Sequence, residues 1–360
     1  MPPQDRRYMA IALGLARRGI GRTAPNPSVG CVLVKDGGIV GWGWTQPGGR
    51  PHAETEALRR AGPAAKGATA YVTLEPCSHW GRTPPCTDAL ISAGVSRVVA
   101  ALEDPDSRVS GSGLRRLEEA GIKVDLGLMA EAARDVNAGF LSRVERGRPW
   151  TILKLATSLD GRIATSTGAS RWITGPEARA HAHRMRARTD AILIGSGTAL
   201  ADDPLLTCRT PGWADRSPIR VVLDRRLRLP LESALVRSAR ETPLWVMTDQ
   251  GNDGAALEAL GAVLIPLAVA AGPEAVLASL AARGVTRLLI EGGSTVASAY
   301  LRADLVDELV WMRAPILIGG DGLAAIAGLG VVDPNQEQPW VLRKSAMLGR
   351  DRLESWRRAG

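Results

Sequence analysis

The stretches PHAETEALRRAG, from Pro51 to Gly62, and GATAYVTLEPCSHWGRTPPCTDAL, from Gly67 to Leu90, decide the fold of the first half of this chain. Ala53 to Ala61 reads as a helix closed by Gly62, which puts His52 and Glu54 at its first turn. Ala68 to Leu74 reads as a strand that runs out at Glu75-Pro76-Cys77, and a second helix starts at Cys86. Two helix N-termini and one strand end therefore converge. One imidazole and two thiolates, His52, Cys77 and Cys86, are three ligands of the kind that hold a tetrahedral zinc and leave the fourth position to water. Zinc lowers the pKa of such a water towards neutrality. Glu54 stands two residues after the histidine and outside the ligand set, so it can carry the water proton.

A His-x-Glu followed by Pro-Cys and a further cysteine is the pattern of zinc-dependent nucleobase deaminases. Eight residues separate Cys77 from Cys86, where that pattern has two, so a loop is inserted between the ligands. Two buried cysteines and a surface histidine are the plain alternative. A disulfide is disfavoured, because four cysteines in 360 residues and no apolar leader at the N-terminus point to a reducing cytoplasm.

The length suggests two domains. No run of eighteen apolar residues occurs, so no segment is read as spanning a membrane. The net charge of +8 invites a nucleic-acid reading, but the arginines are scattered and Phe 1 and Tyr 3 leave few stacking platforms. The basic balance fits small phosphorylated ligands better.

Around the metal motif the elements alternate. Asp5 to Arg18 is an amphipathic helix with Asp5 as its expected N-cap, and Val29 to Val34 with Ile39 to Trp44 form a hairpin. Asn26 lies between Pro25 and Pro27 in an extended loop and can equally be a turn residue. Further strands at Arg97–Leu102 and Ile122–Leu126, around a helix at Leu114–Ala120, complete a three-layer α/β domain at residues 1–146. The polar segment Glu145 to Pro149 is the linker, and residues 147–360 form a second α/β domain. Its strands are TILKLATS, Thr189–Gly195, Ile219–Asp224, Leu244–Thr248, Arg287–Ile290 and Leu309–Met312; its helices are Pro176–Arg188, Asp253–Leu260, Glu274–Arg283 and one beginning near Ser294. That alternation predicts a largely parallel sheet. RLLIEGGST and ILIGSGTAL each run from strand through glycines into a helix, an anion-binding arrangement, although neither holds a complete G-x-G-x-x-G. Val310, Trp311 and Met312 are placed on an edge strand, where a homo-oligomer could form, or in the core.

Beyond these local patterns the whole chain resembles the bifunctional deaminase-reductases of riboflavin biosynthesis. The resemblance rests on TAPNPSVGCVLVKDG, GRPHAETEAL, GATAYVTLEPCSHWGRTPPCTDAL and RVVAALEDPDSRVSGSG in the first half. In the second half it rests on KLATSLDGRIATSTGASRWITGPEAR, DAILIGSGTALADDPLLTCR, RVVLDRRLRLP and LLIEGGSTVASAYL. It implies a cytidine-deaminase-like domain that hydrolyses the 2-amino group of 2,5-diamino-6-(5-phosphoribosylamino)pyrimidin-4-one. It also implies a dihydrofolate-reductase-like domain that uses NADPH to reduce the ribosyl side chain to ribityl.

Carried over by motif, the resemblance places Asn26, His79 and Arg82 in the deaminase pocket. It places NADPH on Ala156, Trp172, Thr198, Asp202 and the turn Gly293, Ser294, Thr295, Val296, Ala297, Ser298 and Ala299. Substrate of the reductase falls to Ser170, Arg186, Leu206, Arg209 and Glu291, with the two arginines as a phosphate clamp. The chain departs from the family pattern at Thr45, where histidine is usual, at Arg82, where lysine is usual, and at Arg225 and Arg226, where a serine is frequent. Read on the zinc motif alone, a deaminase acting on nucleic acid with a C-terminal binding or scaffold domain remains open.

Overall fold

The computed structural model describes residues 3–81, 84–106, 109–267, 272–336 and 339–358. They divide into two compact units, Met1–Arg148 and Pro149–Gly360.

In the first unit the chain runs α1 (Pro3–Ala16), β1 (Gly30–Lys35), β2 (Gly38–Trp44), α2 (Ala53–Ala61), β3 (Thr69–Val72), α3 (Cys86–Ser92), β4 (Arg97–Ala100), α4 (Ser112–Glu119), β5 (Lys123–Leu126) and α5 (Ala130–Arg146). The sheet order is β2-β1-β3-β4-β5. β1 is antiparallel to both neighbours, and β3, β4 and β5 are parallel. Two glycines show how the helices sit on it. A Cβ at Gly30 would lie 1.9 Å from the Ala12 carbonyl oxygen of α1, and one at Gly43, in the neighbouring register pair, 2.4 Å from that of Ala53 in α2. Strand side chains alternate, so α1 and α2 press on opposite faces at backbone contact.

Asp5 is not the N-cap expected of it. The helix begins at Pro3, and Asp5 is wholly buried, accepting hydrogen bonds from Tyr71 Oη at 2.7 Å and Arg97 Nη2 at 2.8 Å. Arg97 Nε bonds Asp125 Oδ2 at 2.7 Å, so one guanidinium ties α1 to β5 across β4. The hydrogen bonds from Arg97 hold the Asp5 carboxyl below the usual carboxylate range.

In the second unit the elements are β6 (Trp150–Thr157), β7 (Arg162–Ala164), α6 (Pro176–Arg186), β8 (Ala191–Gly195), α7 (Ser196–Asp202), β9 (Ile219–Leu223), α8 (Ala234–Arg237), β10 (Leu244–Thr248), α9 (Ala255–Ala259), β11 (Val263–Pro266), α10 (Gly272–Ala282), β12 (Arg287–Ile290), α11 (Ser294–Arg302), β13 (Glu308–Arg313), β14 (Leu323–Ala324), β15 (Trp340–Leu348) and β16 (Asp351–Arg358). The main sheet has the order β11-β10-β9-β8-β12-β6-β13-β16-β15. It is parallel from β11 to β13, and β16 and β15 add an antiparallel hairpin. Alternate residues face two cores. Ile152, Ile192, Val222, Val246 and Leu289 lie against α6 to α9, while Leu153, Leu193, Val221, Met247 and Leu288 lie against α10 and α11.

β13 is not an edge strand. It pairs with β6 on one side and β16 on the other, which makes Val310 and Met312 core residues. The chain builds outward from β6 through β8, β9, β10 and β11, then returns to insert β12 between β8 and β6. That reversal is a topological switch point, where open α/β sheets bind ligands beyond the carboxyl ends of the strands.

Candidate active sites

In the first unit β3 leads to Cys77, His52 is the N-cap of α2, and Cys86 is the first residue of α3. The three donor atoms all lie within 4.8 Å of one another. His52 Nδ1 is 3.3 Å from Cys86 Sγ and 3.6 Å from Cys77 Sγ. A nitrogen and a sulfur on one tetrahedral zinc stand about 3.6 Å apart, so the cluster fits that ion. The Cys86 backbone N–H donates to Cys77 Sγ at 3.4 Å, the start of α3 thus meeting a sulfur. Hydrogen bonds from Cys86 and His52 pull the Cys77 thiol down to about 4, against the effect of burial. Glu54, in the first turn of α2, is buried, and burial pushes its carboxyl up to about 7.

Two loops close around this cluster. Asn26 lies against Gly49, where a Cβ would sit 2.0 Å from Asn26 Nδ2 and where φ is +86°. Only glycine suits that position. His79 Nδ1 is buried and has no hydrogen-bond partner among the described residues, the state of a group awaiting a ligand. Arg82 lies outside the described residues. Glu75 fastens the loop after β4: its carboxylate accepts from the backbone N–H of Asp104 and Gly111 on one oxygen and of Gly113 and Leu114 on the other, at 2.8–3.3 Å.

The second site gathers at the switch point. Glu291, the residue after β12, is 5% exposed and receives Arg186 Nε at 2.7 Å, Arg186 Nη2 at 3.0 Å and, at 3.5 Å, the Nζ of Lys154 on β6. Arg186 Nη1 donates to the Thr207 carbonyl oxygen at 3.1 Å, so every nitrogen of that guanidinium is engaged inside the protein. Burial pushes the Glu291 carboxyl up, but Arg186 and Lys154 outweigh it and hold it at about 2. Arg209 is exposed, with its Nε 3.4 Å from His183 Nε2. Leu206 is a core residue with φ +54°, a left-handed conformation unusual for leucine, which turns the chain between α7 and Arg209.

The two glycine turns converge. Cβ atoms built on Gly292 and Gly293 would lie 3.1 Å from the Thr198 side chain, and one on Gly195 would lie 2.9 Å from Val296. Thr198, Gly293, Ser294 and Thr295 therefore share one rim, on which Thr295 is exposed. Ala297 and Ser298 face inward, and Ser298 Oγ accepts from Ala327 N at 2.7 Å. Ala299 is half-buried further along α11, and Ala156 is half-buried on β6 two residues beyond Lys154. Trp172 is 65% exposed with the Arg179 guanidinium 4.5 Å from its ring centroid, and Arg171 donates to the Asp202 carbonyl oxygen at 2.8 Å. Ser170 precedes that pair and is half-buried.

Comparison with known proteins agrees with this construction. The model of the zinc-binding region of cytidine and deoxycytidylate deaminases matches residues 2–102, and that of the RibD C-terminal domain matches residues 149–350. The riboflavin biosynthesis protein RibD of Escherichia coli K12 is 48% identical over 91% of this chain and 92% of its own. The chain belongs to the RibD family. RibD of Aquifex aeolicus is 42% identical over 96% of each chain. A solved RibD structure from Acinetobacter baumannii superposes with a TM-score of 0.91 at 39% identity over 99% of both chains. A Thermotoga maritima structure described as a diaminohydroxyphosphoribosylaminopyrimidine deaminase/5-amino-6-(5-phosphoribosylamino)uracil reductase gives 0.88 at 33% identity, also over 99% of both. The chain is thus a RibD enzyme of riboflavin biosynthesis, with a cytidine-deaminase-like first unit and a reductase second unit.

Two of the departures from the usual RibD pattern, Thr45 and Arg225, have local partners. Thr45 is buried and its Oγ1 accepts from Val29 N at 2.9 Å, so it serves the start of the hairpin. Arg225 follows β9 with its Nε 3.2 Å from Asp249 Oδ2, at the end of β10. Three groups at the sites went unread in the sequence. Lys154 had a signal, a lone cation in an otherwise apolar strand. Asp104, whose carboxyl burial pushes up to about 6, lies in the loop after β4, and no local pattern marked it. His183, in α6, had no signal, because its partner Arg209 lies beyond β8 and α7. Among the described residues no helix is long and apolar enough to cross a membrane.

Proposed function

We propose that the first unit hydrolyses 2,5-diamino-6-(5-phosphoribosylamino)pyrimidin-4-one at its 2-amino group. The second unit then reduces the ribosyl side chain of the product with NADPH, giving 5-amino-6-(5-phosphoribitylamino)uracil. The observation that carries the first step is the His52, Cys77 and Cys86 donor cluster with the buried Glu54 carboxyl beside it.

A zinc held by those three residues supplies Lewis-acid activation of water. Glu54 would accept the water proton on a carboxylate oxygen and pass it to the ring nitrogen, then take the second proton from the added hydroxyl and give it to the departing amino group, for which a carboxyl near neutrality is suited. Asn26 and His79 orient the pyrimidine; the unpaired His79 Nδ1 supports this. Arg82 adds a cation for the ribose phosphate.

In the second unit NADPH supplies a hydride to the sugar carbon bonded to the exocyclic nitrogen. The protein's task is to hold the two reactants in attack geometry. Glu291, kept ionised by Arg186 and Lys154, accepts hydrogen bonds from sugar hydroxyls, and Lys154 Nζ on β6 stands beside it. Arg209 binds the phosphate, and Ser170 and Leu206 flank it. Thr198 with the Gly293 turn, Ala156, Trp172 and Asp202 hold the cofactor.

The test is separability. Glu54→Gln lowers ammonia release by about 10²–10⁴-fold and leaves NADPH oxidation with the deaminated substrate unchanged. Chelation of zinc does the same. Loss of both activities in a folded variant overturns the assignment of two independent sites.

A further inference from the structure

His183 lies three residues before Arg186 in α6 and so projects from the same helix face. Its Nδ1 is 3.1 Å from the Thr207 carbonyl oxygen, the same oxygen that accepts from Arg186 Nη1. Its Nε2 is 3.4 Å from Arg209 Nε. A carbonyl oxygen can only accept and a guanidinium N–H can only donate. One neutral tautomer satisfies both, with the proton on Nδ1 and the lone pair on Nε2. The other tautomer would oppose two N–H groups on one side and two lone pairs on the other. The Arg209 backbone N–H, which points at Nδ1 from 3.3 Å, is met only by the other tautomer, so the Nδ1–H form satisfies two of the three polar contacts of the ring and the Nε2–H form one. Charged groups around the ring support the neutral form. Burial first, then Arg186 and Arg209, push the His183 imidazole below its ordinary range, while Glu291 and the Thr207 carbonyl pull the other way.

Arg186 has no nitrogen to spare, as all of them face Glu291 or Thr207. Arg209 has no carboxylate partner among the described residues and lies at the surface, where a long side chain samples many rotamers. A fixed acceptor at its Nε limits that freedom, and neither Nη of Arg209 is engaged by that contact.

We propose that His183 is a positioning residue of the reductase: the Nε2 lone pair of its neutral ring holds the Arg209 guanidinium in the orientation that receives the substrate phosphate. The inference rests on the assignment of Arg209 to the phosphate, and the test separates the two. His183→Asn keeps a donor near Nδ1 for Thr207 and removes the acceptor at Nε2, whereas His183→Gln places an amide oxygen near Nε2. In the full-length protein, with 5-amino-6-(5-phosphoribosylamino)uracil and NADPH, His183→Asn raises the KM for the uracil about tenfold, with kcat and the KM for NADPH unchanged. His183→Gln stays within about threefold of the parent. In an Arg209→Ala background His183→Asn has no further effect, and it has none on the dephosphorylated substrate. The unchanged kcat and KM for NADPH report that the second unit of each variant is folded. The proposal is overturned if His183→Gln is as impaired as His183→Asn, if the effects of His183→Asn and Arg209→Ala add, or if the dephosphorylated substrate suffers equally. An Arg209→Ala variant with unchanged KM for the phosphorylated substrate overturns the phosphate assignment itself.

Discussion

Glu291→Gln removes one charge from a carboxylate that is 5% exposed and held by two cations. In the folded protein the Glu291 carboxyl is lowered from 4.5 to about 2. That difference corresponds to about 3 kcal/mol of stability. A depressed pKa contributes stability that is complete above the unfolded value and is lost as pH falls through the folded one. The contribution is therefore full at pH 7, starts to decline near 4.5 and is gone below 2. Breaking a buried pair from one side costs about 3–5 kcal/mol, and the hydrogen bond that glutamine can still accept from Arg186 places this variant at the low end. For a unit of this size about 1 kcal/mol moves Tm by about 2–4 °C, so Glu291→Gln lowers Tm by about 6–12 °C. Calorimetry of the whole chain at pH 7, with residual ammonia release and NADPH oxidation measured after each heating step, assigns the shifted transition to the second unit. At pH 3 the difference from the parent shrinks by about half. A variant within about 1 °C of the parent at pH 7, or an equal difference at both pH values, refutes the buried-pair account.

Three further outcomes follow from other contacts. Asp5→Asn destabilises the first unit by about 2–3 kcal/mol, less than a fully orphaned cation would cost because Arg97 keeps Asp125. Urea unfolding should show the loss at pH 7 and its fading as pH falls below 3.8, since the Asp5 carboxyl is depressed in the fold. Gly49→Ala places a methyl 2.0 Å from Asn26 Nδ2 at a φ of +86°, so Asn26 must move; steady-state assays should show KM for deamination raised about tenfold with reduction unchanged. Arg225→Ala combined with Arg226→Ala raises KM for NADPH and not for NADH if these arginines contact the 2′-phosphate; equal NADPH affinity in titrations of variant and parent excludes that contact.

What the sequence disclosed depended on range. His52, Cys77 and Cys86 sit at the ends of elements whose order and polarity are local, so strand exit, helix start and residue spacing were enough to expect the three donors together, as the fold brings them. The central strands β8, β9, β10 and β12 were legible as short apolar runs. The C-terminal hairpin was not, because β15 and β16 are rich in charge. β16 is joined to β13 by cross-strand ion pairs, Arg313 with Glu354 and Arg357 with Glu308, which hydrophobic periodicity does not reveal. α5 was also passed over. Asp5 looked like a cap because a carboxylate near a helix start usually is one, and only the fold brings Arg97, 92 residues away, against it. The same limit applies at the reductase site, where Arg186 and Glu291 are 105 residues apart in sequence. Either arginine taken alone resembled a surface charge, and nothing local separated the one engaged by Glu291 from the one left facing solvent.

That separation bears on what the basic balance of the chain means. Lys154, Arg186 and Arg209 bring three positive charges to the switch point and Glu291 returns one negative, which leaves two. A phosphate monoester carries nearly two negative charges at neutral pH. On the proposed function, Arg186 and Lys154 keep Glu291 ionised, and the surplus positive charge of that group together with Arg209 meets the ligand. A polynucleotide surface would instead need unpaired cations repeated along a groove and aromatic platforms between them. Here the arginines nearest the glycine turns are tied down, Arg228 to Asp224 and Ser196, and Arg171 to Asp202. The positive charge left at the site is local and matched in size to one phosphate group, which favours a small phosphorylated substrate over a nucleic acid.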